Sequence, residues 1–188
     1  DLDHTYTPIR HALNLLALEP STRLVDAQAR QKVLPTVAQA LRDNPKLASL
    51  YLGYPDGDFM MVRPLRSEAQ RQRFDAPSEA AFQLWSIERS ADGTRSSYQF
   101  FDAQLNLLRR IQRPAEQFDP RQRPWYSNAR SQQTQITTAP YAFFSTAEVG
   151  TTLARQIGQD VVLAADLTLA NLCATLAKHK ITASSEVV

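Results

Sequence analysis

The chain has few of the residues from which metal and cofactor sites are built. Its 188 residues contain one cysteine, Cys173, so an intrachain disulfide is excluded, and three histidines that all lie in the terminal regions, His4, His11 and His179. Neither H-E-x-x-H nor C-x-x-C occurs, and the five glycines form no G-x-G-x-x-G or G-x-x-x-x-G-K motif. We therefore expect no metal site made of histidine and cysteine, no phosphate-binding loop and no cofactor.

Catalytic motifs and a strong net charge are also missing. No G-x-S-x-G sequence occurs, and the neighbouring carboxylates Asp56 and Asp58 stand in a Pro-Asp-Gly-Asp turn, where a structural role suffices. We expect no enzymatic activity from this region. The net charge of +2 is too small to indicate a nucleic-acid partner.

Long apolar runs are absent as well. No eighteen consecutive apolar residues occur, so we expect no membrane-spanning segment within this sequence. The chain opens on "DLDHTYTP", without a methionine, and stops on "SSEVV". We expect a piece of a longer protein, anchored in a membrane by segments outside this sequence.

The pattern of apolar residues predicts a single α+β domain. Residues 1–45 have helical periodicity, which fits either two helices packed on a sheet or one long, kinked helix. Within residues 46–178, "LASLYLGY", the turn and "FMMVRPL" form a strong hairpin signal, and further strand candidates follow. We expect a mostly antiparallel sheet of five to six strands, a closing helix "LTLANLCATLAKH", and the start of a further strand in residues 179–188.

One short stretch, "FDPRQRPWYSNA" (118–129), concentrates planar and hydrogen-bonding side chains. Arg123 is a fixed cation whose planar fork suits a carboxylate. Trp125 offers a large apolar face and Tyr126 a hydroxyl. Two prolines restrict the backbone, so these groups could be held in place before a ligand arrives. The spacing equally allows a turn in which Trp125 and Tyr126 belong to the core and Arg123 pairs with Asp119.

This stretch carries a family resemblance. "FDPRQRPWY", followed by "PYAFFST" and "VVLAADLTLANL", resembles the membrane-distal module of the double Cache extracytoplasmic sensors. The resemblance covers most of the chain and includes the "LYLGYPDGDFMMV" hairpin. It implies a PAS-like antiparallel sheet with a long N-terminal helix and a C-terminal helix, and a small-molecule pocket between the sheet and the R-x-W-Y segment. It also implies a periplasmic location and a membrane-proximal module that begins at 179–188.

The resemblance implies seven ligand-binding residues: Phe118, Arg123, Trp125, Tyr126, Tyr141, Phe143 and Asp166. Two of them depart from the pattern of the amino-acid-binding sensors, in which Phe118 would be a tyrosine and Phe143 an aspartate. A cationic amine would then meet one carboxylate instead of two, and burying an ammonium that is not neutralised costs several kcal/mol. We therefore expect a carboxylate-type ligand rather than a plain α-amino acid.

The predicted function is that of a sensor domain of a bacterial transmembrane protein. The wider pattern resembles sensors whose cytoplasmic part is a cyclic-nucleotide cyclase or phosphodiesterase, and histidine kinases and chemoreceptors use similar input modules. A structural or dimerising ectodomain without a ligand and an intracellular PAS-like module are the alternatives. We expect a homodimer through the N-terminal helix, because one sheet face can cover only part of the apolar stripes in residues 9–41. Arg155 is expected to face either the pocket or a surface acid.

Overall fold

The computed structural model describes residues 2–115, 117–174 and 177–178, so the strand predicted within 179–188 lies outside the described part. The helices are α1 (Leu2–Leu16), α2 (Ala27–Arg30), α3 (Leu34–Asp43), α4 (Glu68–Arg73) and α5 (Pro124–Gln132). The strands are β1 (Leu47–Gly53), β2 (Phe59–Pro64), β3 (Phe82–Ser90), β4 (Gly93–Phe101), β5 (Leu107–Arg113), β6 (Ile136–Thr137), β7 (Tyr141–Ala142), β8 (Val149–Ile157) and β9 (Val161–Thr168).

The nine strands of the described residues all belong to one antiparallel sheet. Its order is β5-β4-β3-β2-β1-β9-β8-β6, and β7 also pairs with β8. The α+β class, the antiparallel sheet and the flanking helices are confirmed, whereas the number of strands exceeds the predicted five to six. β6 contains only two residues, too few for an alternating pattern to show in the sequence, whereas β7 lies within "YAFFST", a predicted strand.

The N-terminal region contains separate helices instead of one kinked helix. α1 ends at Leu16, and Pro20 begins a 3₁₀ turn that breaks the helical path. Pro35 lies in the first turn of α3, where a proline costs no hydrogen bond. Residues 169–174 are again helical, as predicted for the C-terminal helix. None of the helices in the described ranges is long and apolar enough to cross a membrane.

The two faces of the sheet bury different side chains. Successive residues of a strand point to opposite faces, so Leu50 and Leu52 of β1 join the aliphatic core under α1 and α3, whereas Tyr51 joins an aromatic cluster on the other face. α5 packs over this second face. The sheet therefore separates a helix-covered aliphatic side from an aromatic side, where the R-x-W-Y segment lies.

The first hairpin is fixed by a buried ion pair. The Asp58 carboxylate lies 2.8 Å from the guanidinium of Arg30, and both side chains are buried. The same carboxylate accepts a hydrogen bond from the backbone N–H of Arg89, and Asp56 accepts one from the N–H of Asp58. The two turn carboxylates therefore have structural partners in the protein.

Gly53 sets how closely the R-x-W-Y segment approaches the sheet. A Cβ atom at this position would lie 2.8 Å from the indole ring of Trp125 and 3.0 Å from the Cβ of Pro120. Trp125 is almost fully buried against this point. The missing side chain thus allows the indole to lie directly on the backbone of β1.

We expect Gly53→Ala to destabilise the protein by about 1–3 kcal/mol, because an overpacked contact forces the indole or the strand to move. The change is measured by urea unfolding, alone and combined with Trp125→Leu. In the Trp125→Leu background the added methyl group should cost much less. An equal cost in both backgrounds would show that the Trp125 contact is not what restricts this position.

Candidate ligand-binding site

A cavity opens on the aromatic face of the sheet, beneath the segment that precedes α5. Its volume is about 650 Å³, a figure that includes the open space at its mouth. β1, β2, β3 and β9 contribute the floor, and α4 and the loops around 118–123 and 143–148 contribute the walls. This is the place where the sequence resemblance puts a small-molecule pocket.

The structure brings six of the seven predicted residues to this cavity: Phe118, Arg123, Trp125, Tyr141, Phe143 and Asp166. Tyr126 is the exception, because its hydroxyl donates a hydrogen bond to the backbone carbonyl of Asp160, outside the cavity wall. Neighbouring residues of an α-helix point about 100° apart, and here Trp125 lines the cavity whereas Tyr126 does not. The Tyr126 hydroxyl instead links α5 to the β8–β9 turn.

Arg123 does not pair with Asp119. The Asp119 carboxylate bonds instead to the Arg121 guanidinium at 2.9 Å, and this partner lowers the pKa of Asp119. The Arg123 guanidinium lies 5.6 Å from the ring centre of Phe118 and 5.9 Å from that of Tyr141. Its Nε atom is buried and has no hydrogen-bond partner among the described residues. The pocket alternative therefore fits the geometry better than the turn alternative.

Asp166 lies in the floor of the cavity and is almost fully buried. Its Oδ1 accepts hydrogen bonds from the hydroxyls of Tyr51 at 2.6 Å and Thr152 at 2.7 Å, and its Oδ2 accepts one from Ser49 at 3.3 Å. Burial raises the pKa of Asp166 to about 6, although the three hydroxyls and the more distant Arg63 favour the charged form. The carboxylate is thus held by the protein itself before any ligand arrives.

Strand register explains this arrangement. Ser49 of β1 and Thr152 of β8 are both direct cross-strand neighbours of Asp166, so the three side chains stand side by side on one face. Tyr51 lies two residues beyond Ser49 on that face. Sequence reasoning missed Ser49 and Tyr51, because the register that joins β1 to β9 links segments more than a hundred residues apart. It also missed Thr152, which meets Asp166 across the β8–β9 hairpin.

The same face carries Arg63, which sequence reasoning also missed. Arg63 follows Phe59 and Met61 along alternate positions of β2, and all three line the cavity. The alternating pattern of "FMMVRPL" was the available signal, since it places an arginine on the inward face. By the same alternation, Arg155 of β8 points to the opposite face, where it bonds to the side-chain oxygen of Asn14 in α1 at 2.6 Å.

The loop 143–148 forms the outer wall. The ring of Phe144 is half exposed and lies nearly parallel to that of Trp85, with 6.1 Å between ring centres. Glu148 lies 3.7 Å from the guanidinium of Arg73 on α4, and both side chains are exposed at the mouth. Within residues 2–115, 117–174 and 177–178, no group of three histidine, cysteine or acidic side chains could hold a metal ion.

Burial of Asp166 makes the free energy of unfolding depend on pH. The folded pKa of about 6 exceeds the ordinary value of 3.8, so the folded state holds this proton more tightly than the unfolded state does. The stabilisation is fully present below pH 4 and is lost as the pH rises to about 6, by an amount on the order of 3 kcal/mol.

We expect Asp166→Asn to remove this pH dependence. Urea unfolding at pH 4, 5, 6 and 7 should show that the stability of the wild type relative to the variant falls across this range. Asp92→Asn, in an exposed turn, should leave the wild-type profile unchanged. A constant difference between the wild type and Asp166→Asn would contradict the burial argument.

Comparison with known proteins gives the fold a context. No family model matches the chain. "Adenylate cyclase 1" of Rhizobium meliloti (strain 1021) is 29% identical over 175 residues, which cover 92% of this chain and 25% of that protein. The chain thus spans about a quarter of the length of this relative.

Among solved structures, the sensory domain of the Campylobacter jejuni chemoreceptor Tlp3 with isoleucine bound aligns with a TM-score of 0.56 at 14% identity, over 90% of this chain and 53% of its own. The ligand-binding domain of the Pseudomonas fluorescens chemoreceptor CtaA in complex with L-valine aligns with a TM-score of 0.53 at 20% identity, over 94% of this chain and 57% of its own. The ligand-binding domain of the Pseudomonas aeruginosa PAO1 amino acid chemoreceptor PctB in complex with L-Gln aligns with a TM-score of 0.51 at 22% identity, over 90% of this chain and 50% of its own. The chain therefore has the α+β fold of the Cache-type sensory domains of chemoreceptors, as its R-x-W-Y motif predicts.

Proposed function

We propose that this region is a sensor domain that binds a small carboxylate outside the cytoplasm and signals to the rest of a transmembrane protein. The observation that carries the proposal is Arg123. Its guanidinium lies on the cavity wall between two aromatic rings, and its buried Nε is not used by the described protein atoms. A carboxylate would complete the hydrogen bonding of the Arg123 guanidinium. Because this group is already held in place, little conformational entropy would be lost on binding.

The charges in the wall favour an anion. Three arginines and two acids line the cavity: Arg63, Arg73, Arg123, Glu148 and Asp166. The pair at the mouth, Arg73 and Glu148, largely cancels. Two cations then face one carboxylate in the interior, so a ligand with negative charge improves the balance in a site where low polarity strengthens the interaction.

An α-amino acid is a weaker candidate. The chemoreceptor domains described above bind isoleucine, L-valine or L-Gln. Here the oxygens of Asp166 already accept three hydroxyl groups, and Phe143 adds an apolar ring where a second acid would be needed to hold an ammonium. The ligand we propose is therefore a carboxylate without a free amine.

Signalling would use the opposite face of the same sheet. A ligand that prefers one packing of the sheet against α1 and the C-terminal helix would shift the population toward that packing. We propose a periplasmic location for the domain and a cyclase as the output, on the likeness to "Adenylate cyclase 1" over 92% of the chain. Cyclase activity of the full-length protein in membrane vesicles, with and without an active carboxylate, tests the output.

We expect Arg123→Gln to weaken binding of an active carboxylate by roughly ten- to a hundredfold, because it removes a charge-assisted pair worth about 1.5–3 kcal/mol. The ligand is found by a thermal shift screen, since binding raises the melting temperature by mass action. Affinities are then measured by calorimetry.

Arg121→Gln is the matched control. It removes the same charge two residues away, from a side chain that is exposed and bonded to Asp119. Equal losses in the two variants would indicate a general effect of charge. A melting temperature that falls for Arg123→Gln, with no ligand-dependent difference in either protein, would favour a structural ectodomain.

We also propose that two domains pair through α1. The inner side of this helix packs on the sheet, whereas Leu15 and the following Leu18 are 66% and 73% exposed. A second copy of α1 in a parallel arrangement would cover these two leucines.

Substituting both by glutamate, Leu15→Glu with Leu18→Glu, should raise the dimer dissociation constant at least tenfold, since each buried leucine contributes about 1.5–3 kcal/mol. Sedimentation equilibrium measures the change. Leu107→Glu with Leu108→Glu, on the exposed edge strand β5, serves as the control and should leave association unchanged. A wild type that stays monomeric at millimolar concentration would exclude the contact.

A further inference from the structure

Arg63 is a second guanidinium in the interior of the cavity, and the R-x-W-Y motif does not account for it. It stands on the inward face of β2 and is only 7% exposed. Its planar group lies 4.4 Å from the ring centre of Phe74, which fixes its orientation against the loop after α4. A long, charged side chain is rarely buried to this degree unless it has a charged partner.

The hydrogen bonds of Arg63 go to neutral groups. One terminal nitrogen donates to Oε1 of Gln83 at 2.6 Å, and the other to Sδ of Met61 at 3.3 Å. Within the described ranges, no carboxylate forms an ion pair with it. Burial lowers the pKa of Arg63 to about 10, a value at which the group still carries its charge at neutral pH. The interior thus holds a cation that lacks a direct counter-charge.

Asp166 does not take this role. Arg63 stands on β2 and Asp166 on β9, with β1 between them. Neighbouring strands lie about 4.8 Å apart, so the two backbones are separated by about 10 Å. Ser49, the side chain of β1 next to Asp166, is small and donates to this carboxylate. Arg63 therefore lines the cavity without a direct bond to Asp166.

We propose that Arg63 binds a second anionic group of the ligand, so that the cavity accepts a small dicarboxylate, with one carboxylate against Arg123 and the other against Arg63. This inference rests on the proposed function, because it assigns the far end of a ligand whose near end Arg123 holds. The two neutral acceptors now in contact with Arg63, Gln83 and Met61, would keep it oriented, and a carboxylate would add the charge-assisted bond that neither of them supplies.

The test uses pairs of ligands with the same length and different charge. Malonate, succinate and glutarate are compared with their monomethyl esters, which keep one carboxylate and replace the other by a neutral ester. Calorimetry gives the affinities for the wild type, Arg63→Met, Arg63→Lys and Arg123→Gln. The chain length of the tightest diacid reports the distance between the two guanidinium groups.

In the wild type, the best diacid should bind at least tenfold more tightly than its monoester. Arg63→Met should remove this preference while changing the affinity for the monoester only a few-fold. We expect this variant to fold, because methionine replaces the buried charge by an unbranched apolar side chain of similar length. Arg63→Lys keeps the charge and loses the planar fork, so we expect it to keep part of the preference. Arg123→Gln should weaken diacids and monoesters alike.

The outcomes separate the two proposals. Equal affinity of diacids and monoesters for the wild type, or a preference that survives Arg63→Met, overturns the role of Arg63 and leaves the carboxylate site standing. Binding that is unaffected by Arg123→Gln overturns the proposed function itself. If no diacid or monoester binds the wild type at millimolar concentration, the dicarboxylate proposal fails, and the thermal shift screen with other carboxylates decides the proposed function.

Discussion

The contact of Trp125 with the backbone at Gly53 is the constraint on which the site depends. Because Gly53 has no side chain, the indole of Trp125 packs directly on the backbone of β1, and a side chain at position 53 would collide with it. This contact attaches the segment 118–132 to the middle of the sheet. Phe118 is held in the same segment by a hydrogen bond that its carbonyl accepts from Arg89. With both ends of the loop attached in this way, Arg123 between them lies in the cavity wall. A local packing contact between a glycine and a tryptophan thus determines the direction of a charged group.

The sheet has the cavity on one face and the helices α1 and α3 on the other, so it connects the proposed ligand site to these helices. Ser49 and Tyr51 face the cavity, whereas Leu50 and Leu52 on the same strand pack under α1 and α3. On β8, Thr152 bonds to Asp166 in the cavity floor, and Arg155 bonds to Asn14 of α1. A shift of either strand would be felt on both faces, because close-packed interiors transmit displacement instead of absorbing it. The proposed signal needs no additional element beyond these strands.

The sequence predicted the local features of the site better than the non-local ones. Arg123, Trp125 and Phe118 lie in one short segment, so a motif of nine residues was enough to identify them. Ser49 meets Asp166 only through the β1–β9 register, which joins distant segments and leaves no mark in a single sequence, whereas Thr152 meets Asp166 within the β8–β9 hairpin. The resemblance also groups Tyr126 with Trp125, whereas the structure has the Tyr126 hydroxyl bonded to the carbonyl of Asp160. The two-residue strand β6 escaped prediction because it forms only against β8, and not from its own sequence.

The aromatic face gives the charged groups of the cavity their strength. Phe59, Trp85 and Phe118 pack with ring centres 4.7–5.1 Å apart, in tilted and edge-to-face arrangements that leave little room for water. The same two charges attract several times more strongly in such surroundings than at a wet surface. An unpaired charge is also less stable in such surroundings, which is why burial raises the pKa of Asp166 although three hydroxyl groups donate hydrogen bonds to its carboxylate. The cavity holds two guanidinium groups and one carboxylate that already has its hydrogen bonds. In surroundings of low polarity, a ligand that leaves one guanidinium without a counter-charge binds less favourably. The proposed site would therefore discriminate between ligands by the number of negative charges that each one carries.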